Sequence, residues 1–345
     1  MIARKPNVSC KGIQEMRQHL ITAVAAVALV IYLAVPQHAK AAEVVTISTS
    51  TETLDAFVPL LGAEIGTFSK YGIELRFVRA GMGGPAMVSA VVGGSADITH
   101  VASSQILPAI EKGADLTVLA GNYDIDYTLI AQKDAHLDLT KPYPAILTGL
   151  KGKVVGVAIR GGATEQYIRK LFADAGINPD KDVTLIAVGT GIAAAGAFIN
   201  HQVDAMVNIP PSSTLVGRDR YDLVVDLNTT RTKVYDRNFL FTVFTANSDF
   251  VKNRPNVAQN FCRGIVDTIK YMKDPANNSK VIDFTAAKLN LSPAQAREVM
   301  DVYKSGFDAR LTKDRWNGMK NYGFFVPDWS KHVYEPCVNI TAQAS

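Results

Sequence analysis

Residues 59–75 read PLLGAEIGTFSKYGIEL, which predicts a helix followed directly by a strand. Pro59 suits the first turn of a helix, where its missing N–H is not needed. Gly72 follows the predicted helix end at Tyr71, and glycine is common just past a helix C-terminus. From residue 73 to 78 apolar and polar side chains alternate, which is the period of a half-buried strand. The stretch therefore indicates a chain in which helices and strands follow one another closely.

The same alternation extends outward over most of the chain. Strand–helix alternation with short loops favours an α/β fold, in which mainly parallel sheets are flanked by helices. The later sequence turns helical, with helices predicted at 255–272, 280–289 and 293–303. Strands are predicted at 44–48, 73–78, 97–101, 116–120, 154–159, 183–188, 203–207, 223–226 and 239–246.

A weak internal repeat favours two similar lobes. In residues 83–97 a glycine opens a predicted helix, a second glycine ends it, and Asp97 follows at the start of a strand. In residues 191–204 a glycine again opens a predicted helix, which ends near Asn200, and Asp204 takes the corresponding place. Chance recurrence of common α/β turn residues is the alternative. The length of 345 residues also exceeds one ordinary core and favours two lobes.

The N-terminal segment predicts export. Residues 20–35 form an uncharged apolar run, four basic residues precede it, and residues 39–41 read AKA, the small-x-small pattern of a cleavage site. We therefore expect residues 1–41 to be a signal peptide cleaved near Ala41, and the mature protein to be periplasmic. A retained membrane anchor is the alternative, and either Met1 or Met16 could be the true start.

Charge and cysteine content narrow the function further. Residues 1–41 hold five of the 36 Lys and Arg residues but one of the 32 Asp and Glu residues. The remaining residues therefore carry equal numbers of basic and acidic side chains. No nucleic-acid partner and no anionic membrane surface is implied. Cys262 and Cys337 are the cysteines that follow the signal segment. In an oxidising compartment they could form a disulfide, and two free buried thiols are an equal alternative.

Sequence motifs for catalysis or metal binding are missing. The six histidines are scattered without an H-x-x-x-H or Cys/His ligand cluster. Neither a G-x-S-x-G elbow nor a P-loop occurs. We therefore predict no enzymatic activity, no metal and no cofactor.

Several stretches resemble one family. Residues 59–75 are similar to the opening "A-x-x-x-G-x-F-x-x-x-G-[IL]-x-[VL]" of solute-binding proteins of the nitrate/sulfonate/taurine class. Four later stretches match in order and spacing: GSADI, LKGKVVGV, AGINP and QVDAMV, at residues 94–98, 150–157, 175–179 and 202–207. Together the matches cover about residues 44 to 240.

The resemblance implies a two-lobed periplasmic-binding-protein fold of type II, with two hinge crossings. Lobe 1 would comprise residues 42–137 and 238–345, lobe 2 residues 148–232, and the hinge residues 138–147 and 233–237. The implied function is capture of a small solute, such as a sulfonate, taurine, an aromatic carboxylate or nitrate, for an ABC permease in the inner membrane. A monomer is expected.

Two other functions stay open. One is a sensory ligand-binding protein that presents its closed form to a membrane receptor. The other is an exported pyrimidine-precursor enzyme on the same fold. The related thiamin-pyrimidine synthases carry a cysteine-rich motif with histidine that this chain lacks, which argues against that activity.

The ligand site is predicted at the carboxyl ends of the parallel strands, where helices begin. Helix N-termini offer unpaired N–H groups and a favourable dipole to an anion. Arg160 could hold a carboxylate or sulfonate in a bidentate contact, or be a solvated surface arginine. Tyr123 and Tyr127 could wall an aromatic ligand or pack in the core, and His100 reads first as a structural histidine. The full predicted set is Ser50, Thr51, Gly83, Gly84, Ser103, Ser104, Tyr123, Arg160, Gly162, Ala163, Thr164, Thr190 and Asn208.

Overall fold

A computed structural model of the chain describes residues 41–49, 53–81, 83–124, 127–227 and 239–342. The predicted signal segment, apart from Ala41, lies outside these residues. The described chain contains two five-stranded sheets, both flanked by helices. The α/β fold with two mainly parallel sheets is therefore confirmed.

The first sheet has the strand order β2-β1-β3-β10-β4. β1 is hydrogen-bonded to β2 and β3 in parallel, and β10 is antiparallel to both β3 and β4. Four of the five strands thus run in one direction. The strands are β1 (Glu43–Ser48), β2 (Ile73–Val78), β3 (Ile98–Ala102), β4 (Leu116–Tyr123) and β10 (Thr242–Asn247).

The second sheet has the order β7-β6-β8-β5-β9. β6 is parallel to β7 and β8, and β5 is antiparallel to β8 and β9. The antiparallel strand again takes the fourth place. The strands are β5 (Thr128–Gln132), β6 (Val154–Val157), β7 (Thr184–Ala187), β8 (Ala205–Asn208) and β9 (Tyr221–Asp226).

Helices connect the strands and make up most of the C-terminal part. Seven of the described helices lie between β1 and the long helix that follows β10. They are α1 (Phe57–Ile65), α2 (Gly84–Val92), α3 (Ser103–Glu111), α4 (Ala163–Asp174), α5 (Gly191–Ile199), α6 (Ser212–Val216) and α7 (Ser248–Asn253). The remainder are α8 (Pro255–Lys273), α9 (Asn278–Leu289), α10 (Pro293–Tyr303), α11 (Lys313–Gly318), α12 (Trp329–His332) and α13 (Glu335–Thr341).

The chain passes between the sheets after β4 and again after β9. β5 belongs to the second sheet although it lies within the 42–137 predicted for lobe 1, so the first passage comes before the predicted hinge at 138–147. No strand was predicted at 128–132. Residues 233–237 of the second predicted hinge lie outside the described chain, and the lobe boundaries stay a prediction.

The helix predicted from Pro59 to Tyr71 is shorter in the structure. α1 ends at Ile65, because Gly66 adopts a left-handed conformation with φ of 81° and its N–H bonds to the carbonyl of Gly62. A separate 3-10 turn, Ser69–Tyr71, then leads to Gly72. Gly66, rather than Gly72, therefore ends the α-helix.

The strand predicted at 239–246 also begins later. Phe239, Leu240 and Phe241 are buried but lie outside the sheet, and hydrogen-bonded pairing starts at Thr242. Apolar character is shared by strands and buried connections, so composition could not locate this boundary.

Cys262 on α8 and Cys337 on α13 form a disulfide, with 5.7 Å between their Cα atoms. Both cysteines are buried. The bond ties the last helix to the longest one, so of the two alternatives for these cysteines the structure has the disulfide.

Candidate functional site

A cavity of about 270 Å³ lies between the two sheets. It opens where the parallel strands of each sheet end, as expected for ligand sites in open α/β sheets. From the first sheet and its connections it is lined by Thr49, Thr53, Leu54, Asp55, Arg79, Gly81, Gly83, Gly84, Met87, His100, Val101, Ala102, Gln105, Tyr123, Tyr127, Phe241 and Thr242. From the second sheet it is lined by Ala158, Ile159, Ala163, Thr164, Gly189, Thr190 and Ile209.

Four helices begin at the cavity wall. The N-cap residues of α2, α3 and α4 are Gly83, Ala102 and Gly162, and none of these has a side chain that could cap the helix. Thr190 is the N-cap of α5 and also lines the cavity. First-turn N–H groups of these helices can therefore serve a bound acceptor, and the helix dipoles favour an anionic one.

A polar group of three side chains lies on the wall of the first sheet. His100 on β3 places Nε2 2.7 Å from the hydroxyl oxygen of Thr49. On the other side of the ring, Nδ1 lies 3.4 Å from a carboxylate oxygen of Asp55. Burial acts to raise the pKa of Asp55, but the nearby His100 ring and Thr53 outweigh it, so this pKa is lowered. Asp55 is therefore ionised at neutral pH.

Gln105 adds an unused donor to the same wall. It lies in the first turn of α3 and is 9% exposed. Its Nε2 atom has no hydrogen-bond partner among the described residues, and a buried amide without a partner is costly. Gly84 makes room for it, since a Cβ there would lie 2.9 Å from Gln105 Cγ.

Aromatic rings form the apolar part of the wall. Tyr127 and Phe241 meet edge-to-face, with 4.9 Å between ring centroids. The ring of Tyr123 lies 4.6 Å from that of Phe307 behind it. These contacts fix the rings in place, and the wall offers apolar surface to the carbon skeleton of a ligand.

Six of the predicted site residues line the cavity, and five others in the described chain do not. Ser50 and Thr51 lie outside the described residues. Those that line it are Gly83, Gly84, Tyr123, Ala163, Thr164 and Thr190. Those that do not are Ser103, Ser104, Arg160, Gly162 and Asn208.

Arg160 differs most from its predicted role. Its Nε donates to Glu165 at 2.7 Å and its Nη1 donates to the carbonyl of Leu185 at 2.7 Å. The guanidinium is thus held by its own turn and the neighbouring strand, away from the cavity. Asn208 is used similarly, since it bonds Thr128 on the neighbouring strand β5 and Ser213 on α6.

Sequence reasoning missed Asp55, Arg79 and Gln105. None belongs to a glycine or serine turn at a predicted strand end, which was the signal that selected the other residues. Of the three, Gln105 could have been selected from the sequence, because it lies in the first turn of a predicted helix. His100 is both a hydrogen-bonded histidine, as predicted, and a lining residue.

Two features are absent from the described residues. No three His, Cys, Asp or Glu side chains lie close enough to hold a metal ion together. No helix in the described ranges combines the length and apolar character that crossing a membrane requires.

Solved structures with the same fold include three that match nearly the whole described chain. A protein from Bordetella bronchiseptica RB50 has a TM-score of 0.70 at 23% identity, covering 87% of this chain and 97% of its own. The alkanesulfonate-binding protein SsuA from Xanthomonas axonopodis pv. citri, bound to MOPS, has a TM-score of 0.64 at 15% identity, covering 87% and 97%. The periplasmic nitrate-binding protein NrtA from Synechocystis PCC 6803 has a TM-score of 0.66 at 14% identity, covering 88% and 89%. At these identities the likeness concerns the fold, which is that of periplasmic binding proteins.

A comparison with curated protein sequences finds no match. The sequence profile of the NMT1-like family, by contrast, matches residues 40–286, which is more than half of the chain. This range contains both sheets and every residue that lines the cavity. The chain therefore belongs to the NMT1-like family.

Proposed function

We propose that this chain is the periplasmic solute-binding component of an ABC importer. It captures a small anionic organic solute, such as a sulfonate, taurine or an aromatic carboxylate, or else nitrate, in the cavity between its sheets. The observation that carries the proposal is the convergence of four helix N-termini on one cavity of about 270 Å³. The two named binding proteins with this fold, for alkanesulfonate and for nitrate, support an anionic ligand.

The wall of the cavity favours an organic solute over nitrate. Leu54, Met87 and Val101 line it from the first sheet, and Ile159 and Ile209 from the second. Apolar surface contributes to affinity only when the ligand covers it with apolar surface of its own, and nitrate has none to offer.

Binding can be tested with the mature protein. We expect a sulfonate or aromatic carboxylate to raise the melting temperature and give a calorimetric isotherm with one site per chain, whereas nitrate should do neither. Mass spectrometry of the recovered ligand should show it unchanged. Absence of binding across the panel would contradict the proposed function, and a converted ligand would favour an enzyme instead.

Export and partnership complete the proposal. The protein is released into the periplasm after cleavage near Ala41, acts as a monomer, and delivers its ligand to a permease in the inner membrane. N-terminal sequencing of the periplasmic protein should start near Ala42. An intact N-terminus in the membrane fraction would contradict export.

A further inference from the structure

The cavity is lined by a carboxylate as well as by groups suited to anions, Arg79 among them. Among its described lining residues Asp55 is the one carboxylate. It precedes the buried Ala56 in a 3-10 turn, Leu54–Ala56, that packs against the first sheet. Asn122 holds this turn in place by donating to the carbonyl of Asp55 at 2.8 Å. The carboxylate is therefore positioned by the fold.

No strong counter-ion neutralises Asp55. In the described part of the chain, no Lys or Arg nitrogen lies within 4 Å of its carboxylate, and its ion-pair partner is His100 at 3.4 Å. The Nδ1 atom of His100 faces this carboxylate but makes no hydrogen bond of normal geometry there. A quarter of the Asp55 side chain is exposed, and the residue lines the cavity. A desolvated carboxylate is costly unless a donor reaches it, and closure of the cavity removes water as the donor.

Gln105 provides the complementary group. Its unused Nε2 donor and the nearby helix N-termini suit an acceptor, whereas Asp55 suits a donor. Arg79 also lines the cavity and favours the anionic end of a solute, but a solute that is only an anion leaves the Asp55 carboxylate without a donor. A solute with an acceptor at one end and a cationic donor at the other can bond Gln105 and the helix N-termini with its acceptor and Asp55 with its donor.

We propose that Asp55 is a subsite for a protonated amine or another cationic N–H group, and that the solute is zwitterionic. This inference rests on the proposed function and specifies its ligand class. A cationic donor bonds the carboxylate more strongly than water does, and its charge offsets that of Asp55.

Probe pairs that differ in the amine alone test the proposal on the wild-type protein. One pair is 2-aminoethanesulfonate and ethanesulfonate, and the other is 3-aminopropanoate and propanoate. Calorimetric titration should show at least one aminated member binding about tenfold or more tighter than its unaminated partner, a difference of about 1.4 kcal/mol.

The variant Asp55→Asn should abolish this preference. The amide keeps the shape but loses the charge, so affinity for the aminated probe should fall about tenfold to a hundredfold. Affinity for the unaminated probe should stay within about threefold or improve. Asp134→Asn is the matched control, because Asp134 also lies beside a histidine, His201 at 3.5 Å, but does not line the cavity. It should keep the wild-type preference.

The outcomes separate this inference from the proposed function. Unaminated probes that bind as well as aminated ones, in wild type and Asp55→Asn alike, would overturn the subsite and leave the proposed function standing. Failure of every probe to bind the wild type would count against both. The wild-type comparison needs no variant, so it decides even if Asp55→Asn unfolds.

Discussion

At the scale of single residues, Gly83 brings the two walls of the cavity into contact. Its Cα faces Ile159 of the second sheet, and a Cβ at position 83 would lie 2.9 Å from Ile159 Cγ2. Its φ is also positive, at 85°. A side chain here would thus strain the backbone and push the walls apart.

Gly83→Ala should weaken binding of the solute identified by the screen about tenfold. It should also lower the free energy of unfolding by about 1–3 kcal/mol, because the added methyl overpacks a close contact. Urea unfolding and calorimetric titration measure the two effects. The double variant Gly83→Ala/Ile159→Ala should recover part of both losses.

Gly81→Ala is the control for this change. Gly81 lines the same cavity and has a similar φ of 86°, but its nearest contact for a Cβ is Ala86 at 3.8 Å. Alanine at position 81 therefore has the same unfavourable positive φ but does not clash with a neighbouring side chain. Equal effects of the two variants would show that the contact with Ile159 does not matter.

Glu165 holds the turn that precedes α4. Its carboxylate accepts hydrogen bonds from Arg160 Nε at 2.7 Å, the Gly161 N–H at 2.8 Å and Arg169 Nε at 2.9 Å. Burial acts to raise the pKa of Glu165, but these bonds outweigh it and lower the pKa to about 2. Arg160 thus shapes the loop beside Ala163 and Thr164 and does not itself line the cavity.

The lowered pKa predicts an acid-dependent stability term. Because the folded pKa lies below the unfolded value near 4.5, the term is fully present above pH 4.5 and is lost as the pH falls toward 2. Its size is at most about 3 kcal/mol. The difference in unfolding free energy between wild type and Glu165→Gln should therefore shrink across this range. A difference that stays constant from pH 6 to pH 3 would contradict it.

At the scale of elements, the two sheets are built alike around equivalent aspartates. Asp97 precedes β3, and its carboxylate accepts the Thr46 N–H of β1 at 2.7 Å. Asp204 precedes β8, and its carboxylate accepts the Val154 N–H of β6 at 2.7 Å. Each aspartate thus joins the third strand of its sheet to the second in the same way. The weak sequence repeat around the two residues reflects this shared role.

The disulfide predicts how the C-terminal helix is held. It closes a loop of 75 residues between α8 and α13, and constraining an unfolded loop of that length is worth roughly 4 kcal/mol. The double variant Cys262→Ala/Cys337→Ala should lose stability of that order in urea unfolding, while solute affinity stays unchanged because neither cysteine lines the cavity. Reduced wild type should match the variant. Equal stability of the oxidised protein and the variant would contradict the prediction.

At the scale of the whole molecule, the two connections between the sheets are linked through one side chain. Arg315 on α11 donates from Nη2 to Asp124 at 2.8 Å and to the carbonyl of Phe239 at 3.0 Å. Asp124 follows β4 and Phe239 precedes β10, so the arginine contacts the chain at both passages. Any movement of one sheet relative to the other would take place at these two passages, and Arg315 contacts both of them.

Solute binding should draw the two sheets together. Because lining residues come from both sheets, a ligand that contacts both favours the closed arrangement. X-ray scattering should show a smaller radius of gyration with saturating solute. Ligand at a hundred times its Kd should also add about 2.7 kcal/mol of stability. An unchanged scattering profile at saturation would contradict closure.

Much of the architecture was determined by local sequence. The alternation of apolar runs with glycine, proline and serine turns located nine of the ten strands, because these signals act over a few residues. The same signals identified Gly84, Ala163 and Thr190 as helix starts, and helix starts do line the cavity. For Cys262 and Cys337 the sequence left a disulfide and two free thiols as equal alternatives, and the fold decided between them by bringing their Cα atoms to 5.7 Å.

Tertiary structure alone decided the return of β10 to the first sheet and the polar contents of the cavity. β10 joins a sheet made otherwise of β1 to β4, which lie more than 100 residues earlier in the chain, and no local pattern encodes a partner so distant in sequence. Asp55 meets His100 across 45 residues, and Arg160 meets Leu185 on the neighbouring strand. Whether a charged side chain faces a ligand or a protein partner depends on what the fold brings beside it. The sequence by itself therefore determined where ligand-binding helices begin, and only the packing of the two sheets decided which charges face the cavity.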